Sequence, residues 1–315
     1  MTLTASLRVG RLRCWLLEGG RQRLDGGAMF GVVPKPLWER RIAADERNRI
    51  PLAMRCLLIE HPDGLVLVDT ALGNKEDQKF RDIYGVENAG RNGRSQLEDA
   101  LAEAGVLPED VRWVINTHLH FDHAGGNTYA VNETDSHVPA QHPTHPSAPQ
   151  TAGPPVRLSF PNATYVVQRG ELEFAMHPHE RAAASYLARN FAPVTAADKW
   201  RLVSGAAVIV PGIRVELTPG HVPHHQSVWV SDGAECAVFI GDLVPTAAHL
   251  PLPWIMGYDL EPMVTLETKR QVLARAQSEG WILIFEHDPV IRAGRVVKEG
   301  KSYGCVPLDT LSDAG

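Results

Sequence analysis

The sequence predicts a layered α/β domain. Three observations carry that reading. Short Val/Ile/Leu-rich runs ending in Gly, Pro, Asp or His recur along the chain, stretches with apolar residues at helical spacing lie between them, and no break in composition divides this interleaving from Arg55 to the C-terminus. Length alone gives a prior of two domains, since 315 residues are shared out at about 150 per domain. The unbroken alternation favours a single domain over residues 1–315.

Composition narrows the function classes. With 44% hydrophobic and 22% charged residues the chain has ordinary globular make-up, and no apolar run approaches the roughly 18 residues of a membrane span. No membrane partner is expected. A net charge of −6 has the wrong sign for a protein that neutralises phosphates, so nucleic acid is not expected either. The 4 cysteines are widely spaced without a CxxC pair, which points away from a disulfide framework and from a thiolate zinc site. Histidine is the unusual component, with 14 residues, and imidazole is the commonest metal ligand.

Taken in order, the N-terminus places Arg8, Arg11 and Arg13 among apolar residues where an export signal needs an unbroken apolar core. A mature cytoplasmic protein is the expectation. Residues 23–50 read as a lid or dimer loop in which Met29, Phe30 and Trp38 contact an apolar ligand, a second copy or the underside of the sheet. A homodimer through residues 26–41 follows from that apolar content. Strands are predicted at Arg55–Glu60, Leu65–Thr70, Val111–Thr117, Thr164–Gln168, Ala206–Val210, Arg214–Thr218, Ser227–Val230, Cys236–Ile240 and Trp281–Phe285. Helices are predicted at Ser95–Ala104, Glu171–Asn190 and Val264–Glu279. The first opens on a capping box, Ser95 with Glu98, and stops at Gly105. Residues 132–161 form an insertion with seven prolines, in which His137, His142 and His145 read as surface loop. His177 and His179 flank a proline and read as solvated.

The chemistry concentrates after strand Val111–Thr117, where His118-Leu119-His120-Phe121-Asp122-His123 puts four metal-capable side chains within six residues. Such a string arises by chance on the order of 10⁻³ times in a chain of this composition. In an extended segment alternate residues project to one side, so His118, His120 and Asp122 converge while His123 turns towards a second ion. Three further strand ends offer ligands at His221, Asp242 and His287, where sites of layered α/β folds sit.

These segments in this order resemble the metallo-β-lactamase superfamily. The resemblance implies a four-layer αβ/βα sandwich, two mixed sheets flanked by helices. It implies that His118, His120 and His221 hold one divalent metal and Asp122, His123 and His287 another, with Asp242 and a hydroxide bridging them. Zinc is the default for such ligands, and manganese, cobalt or iron also fit. By the same resemblance Asp69 orients a ligand, and His225 either orients Asp242 or His221 or simply packs.

THLHFDHAGGN and TPGH followed by His225 are similar to the N-acyl-homoserine lactonases, and residues 25–38 to a quorum-quenching branch of them. The implied activity is opening of a lactone ring by the bridging hydroxide, with Asp122 passing its proton to the leaving oxygen. The alternatives are an organophosphate triester or arylester hydrolase of the same fold and, less favoured, a persulfide dioxygenase. One departure stands out. The best-known lactonases carry a carbonyl-contacting tyrosine three residues after the bridging Asp, and here that residue is Pro245. His249 and Tyr258 are the candidates to replace it.

Overall fold

The computed structural model describes residues 2–131, 154–308 and 312–313. Two mixed β-sheets face each other. The first runs in the spatial order Ser312–Asp313, Thr4–Val9, Leu12–Asp25, Arg49–Glu60, Leu65–Val68, Val111–Ile115, Thr164–Gln168 and Trp200–Val203. The second runs Ala207–Val210, Ile213–Leu217, Gln226–Asp232, Glu235–Phe239, Ile282–Ile284, Ala293–Glu299 and Ser302–Pro307.

Both faces of each sheet are buried. Along Arg49–Glu60, Leu57 and Ile59 point between the sheets, where they meet Val215, Val228 and Phe239 of the second sheet. Cys56 and Leu58 point the other way, against Leu97, Ala100 and Leu101 of helix Gln96–Glu103. On the far side, Val272, Leu273 and Ala276 of helix Pro262–Glu279 cover Trp229, Val238 and Leu283. The result is the four-layer sandwich expected. A strand buried on both faces reads as a continuous apolar run rather than an alternating one, which is why these strands stand out in the sequence.

The structure departs from the sequence reading in four places. The N-terminal residues form two strands, the second fourteen residues long, paired antiparallel to each other and to Arg49–Glu60, and the Arg13 guanidinium lies over the Trp15 ring at 3.8 Å from its centre. Residues 23–50 are not one loop; they hold the end of that strand, the short helices Gly26–Phe30 and Lys35–Trp38, and the start of the next strand. The helix expected over Glu171–Asn190 is Arg169–Met176 alone, since Pro178 has no N–H to continue it. Within the insertion, Val156–Leu158 pairs with Thr128–Ala130, while His137, His142 and His145 lie outside the described residues. No helix among the described residues is long and apolar enough to cross a membrane.

Two parallel pairs position the site. Leu65–Val68 lies parallel to Val111–Ile115 in the first sheet, and Glu235–Phe239 lies parallel to Ile282–Ile284 in the second. The chain leaves these four strands towards Asp69, His118, Asp242 and His287, so both sheets deliver their strand ends to one edge of the sandwich.

Candidate metal centre

Asp242 sits in a single turn, Gly241–Leu243, just beyond its strand. Its two carboxylate oxygens face different imidazoles: Oδ2 is 3.1 Å from His221 Nε2, and Oδ1 is 3.1 Å from His287 Nε2. Around Oδ2 also lie His123 Nε2 at 3.5 Å and His118 Nε2 at 3.9 Å. Among the described residues four groups of possible ligands form, His118 with His120 and His221, Asp122 with His123 and His287, His118 with His123 and Asp242, and Asp69 with His123 and Glu286; within each, the ligand atoms lie within 4.8 Å of one another. One expectation needs correction. The chain is extended only up to His120, and Phe121–Ala124 is a helical turn, so Asp122 leaves the line of His118 and His120 and joins His123.

The far nitrogens of these rings are held from behind. Asp69 accepts the Thr117 N–H and hydroxyl at 2.7 Å each, and its Oδ2 is 3.1 Å from His123 Nδ1. Asp259 lies 2.9 Å from His221 Nδ1, and the Ala53 carbonyl 2.7 Å from His287 Nδ1. His225 Nε2 accepts the Asp242 N–H at 3.1 Å, while its Nδ1 meets the Thr218 carbonyl and hydroxyl. Gly241 makes that approach possible, because it has φ +54 and a Cβ there would stand 2.7 Å from His225 Nε2. Such bonds choose the tautomer and leave one nitrogen of His123, His221 and His287 for the centre, while His225 spends both of its own on Asp242 and Thr218.

Charge follows from burial and neighbours. Burial, reinforced by the adjacent His123, holds His118 well below the ordinary histidine range. Burial likewise lowers His225 to about 3, so it is neutral and accepts a hydrogen bond. Asp242 behaves differently: burial penalises its carboxylate, yet His221, His123 and His287 outweigh it and keep the group well below its usual value. His287 is raised to about 9, Asp242 overcoming the effect of burial.

These residues fit a pair of divalent cations. His118 Nε2 is buried without a hydrogen-bond partner. His287 Nε2 and His123 Nε2 stand 3.2 Å apart, as do His221 Nε2 and His120 Nδ1 at 3.1 Å; ring nitrogens converge in this way where a cation replaces their protons. Nitrogen and carboxylate donors suit zinc and its neighbours in the first transition row.

Above the centre opens a cavity of ≈ 250 Å³ whose floor includes His120, Asp122, His221, Asp242 and His287. Its walls are largely apolar, with Leu24, Leu52, Phe121, Met256 and Leu260, and its polar groups beyond the centre are those of Tyr84, Tyr258, Ser185 and Arg181. Of the residues expected to meet substrate, Met29 and Tyr258 line this cavity. Phe30, Trp38 and His249 do not. Phe30 stacks on Trp38 at 5.3 Å and on His249 at 4.5 Å in a small buried cluster. His249 spends both ring nitrogens on the Met29 carbonyl and the Thr246 hydroxyl.

A family model described as the metallo-β-lactamase superfamily matches residues 51–287. The chain belongs to that superfamily. Among solved structures, a probable metal-dependent hydrolase from Staphylococcus aureus is 30% identical with a TM-score of 0.80, covering 97% of this chain and 100% of that one. AidC, a dizinc quorum-quenching lactonase in complex with a product, shares the fold with a TM-score of 0.74 at 17% identity, covering 99% of this chain and 100% of its own. An N-acyl homoserine lactonase of Bacillus thuringiensis is 26% identical over 245 residues, 75% of this chain and 82% of that protein. This metallo-β-lactamase-fold protein is a metal-dependent hydrolase.

Several residues at the superfamily site escaped the sequence reading. Glu286 is fully buried, with Oε2 3.0 Å from His123 Nδ1, and burial raises it to about 8; its place beside His287 was the available signal. Asp259, next to Tyr258, was another. Arg55 is a third. Buried between the sheets, it donates to the Phe285 and Asp288 carbonyls and to Glu18, and so clamps the segment that carries His287. Pro245 contributes its carbonyl, which accepts the His287 N–H at 3.1 Å.

Proposed function

We propose that the protein opens lactone rings, N-acyl homoserine lactones in particular, with His118, His120, His221, Asp122, His123, His287 and Asp242 holding two divalent cations. The observation that carries this reading is Asp242, whose two oxygens each face a different imidazole on the floor of an apolar-walled cavity. Two cations bound there supply Lewis-acid polarisation of a carbonyl and lower the pKa of water. The apolar wall fits an acyl chain, and the relatedness to N-acyl homoserine lactonases points to the same substrate class.

The chain's own residues then have separable tasks. Asp242 keeps the two ligand groups in register. Asp122 carries the proton at a carboxylate oxygen from the attacking water to the leaving ring oxygen. Tyr258, with Tyr84 across the cavity, offers the phenol that Pro245 lacks. Burial raises Tyr258 to about 12, so its hydroxyl remains a donor for a carbonyl oxygen at neutral pH.

The test is a substrate panel on zinc- and manganese-loaded protein, read by mass spectrometry. Gain of one water by acyl-homoserine lactones of short and long chain is expected. Turnover confined to phosphotriesters or arylesters, or no ring opening at any chain length, refutes the proposal. Asp122→Asn, assayed at saturating zinc so that both positions fill, is expected to lose turnover by about 10² to 10⁴; full activity at full metal content removes Asp122 from the proton path.

A further inference from the structure

Gln22 takes no part in the reading above, yet it lies against it. It comes from strand Leu12–Asp25, it is fully buried, and its Nε2 donates to Asp122 Oδ2 at 2.5 Å. Its Oε1 is buried with no hydrogen-bond partner. A buried amide left half unsatisfied costs stability.

A bulge decides where Gln22 points. Before it, Cys14 and Leu16 face the second sheet while Trp15 and Leu17 face the helix layer. Unbroken alternation would turn Gln22 the same way as Leu16. Between Glu18, opposite Arg55, and Arg21, opposite Ala53, the strand advances three residues for two of its partner. That extra residue reverses the faces, so Gln22, opposite Leu52, shares the side of Leu17 and Met54 and reaches Asp122. Gly20 permits the turn, with φ +138 and a Cβ position only 2.5 Å from Asn88 Cβ.

We infer that Gln22 is a positioning residue for Asp122. Its amide fixes the rotation of the carboxylate, holding Oδ2 so that the group is presented to His123 and His287 as one preset ligand set. An amide suits this task better than the alternatives: a cationic donor would oppose a divalent ion, a carboxylate would repel Asp122, and an apolar side chain would leave it free to rotate. The inference rests on the two-cation reading of the centre.

The test is zinc titration against a competing chelator for wild type, Gln22→Met and Gln22→Asn, with circular dichroism of the zinc-free proteins to establish folding. Methionine keeps the length and removes the donor. Asparagine keeps the amide and shortens its reach, and it serves if methionine is not tolerated. The expected result is one zinc bound as in wild type and the other weakened about 10- to 100-fold. Two zinc ions bound with wild-type affinity in a folded variant overturn the inference, and equal weakening of both overturns it as well. Zinc binding is read without any lactone, so wild-type protein that binds two zinc ions and opens no lactone refutes the proposed substrate and leaves the role of Gln22 standing.

Discussion

The imidazole cluster and the cavity wall above it are built on opposite terms. In the cluster, the far nitrogens of His123, His221 and His287 are each held by a buried acceptor: Asp69, Asp259 and the Ala53 carbonyl. In the wall, no hydrogen bond ties the Tyr84 or Tyr258 hydroxyl to other described residues, and Arg181 is held by a single bond to the Gly257 carbonyl. The difference separates chemistry from selectivity. Groups that must meet a cation are locked before it arrives, and groups that meet a substrate keep freedom to adapt to it.

Substitutions on the two sides should therefore fail differently. The largest effect is expected for Asp242→Asn, which removes the carboxylate shared by both ligand groups. Several kcal/mol of transition-state stabilisation leave with the cations, about a thousandfold or more in rate. Zinc stoichiometry and turnover measured together check it, and a variant that keeps two zinc ions breaks the contrast at its centre.

Behind the wall, His249 offers an intermediate effect on stability. Burial lowers its pKa from 6.5 to about 3. The unfolded chain thus binds a proton that the folded one refuses, so the contribution of His249 is intact above about pH 6.5 and is lost as pH falls towards 3, with a slope of up to about 1.4 kcal/mol per pH unit. Denaturant titrations of metal-free protein across that range should show a shallower acid slope for His249→Asn than for wild type. Parallel slopes would mean that the stack on Phe30 does not keep this ring neutral.

The smallest effect is expected for Tyr258→Phe. Loss of one hydrogen bond to substrate, about 1 kcal/mol, lowers kcat/KM about fivefold with zinc content unchanged. A loss of metal in this variant would show that wall and cluster are coupled.

Legibility in the sequence divides along a similar line. His118, His120, Asp122 and His123 are legible because four metal-capable side chains crowd into six residues, and Leu57–Ile59 because burial on both faces writes a continuous apolar run. Gln22 is not legible, because a single inserted residue upstream reverses the face it occupies, and no periodicity announces a bulge. Phe30 and Trp38 show the opposite difficulty. Apolar loop residues look like a ligand contact until their own small core is seen to absorb them.

The two sheets meet the centre from opposite sides, residues 118–123 arriving from the first and 221, 242 and 287 from the second. Under the proposed assignment each ion is a cross-link between two halves of the sandwich, one joining ligands 101 residues apart and the other ligands 164 residues apart, much as a disulfide would. Unlike a disulfide, it is set by concentration: each tenfold of free cation above the dissociation constant adds about 1.4 kcal/mol against unfolding. Under that assignment the fold of this protein would be tied to the metal supply of its surroundings, and starvation for the cation would become a matter of its lifetime as well as its rate.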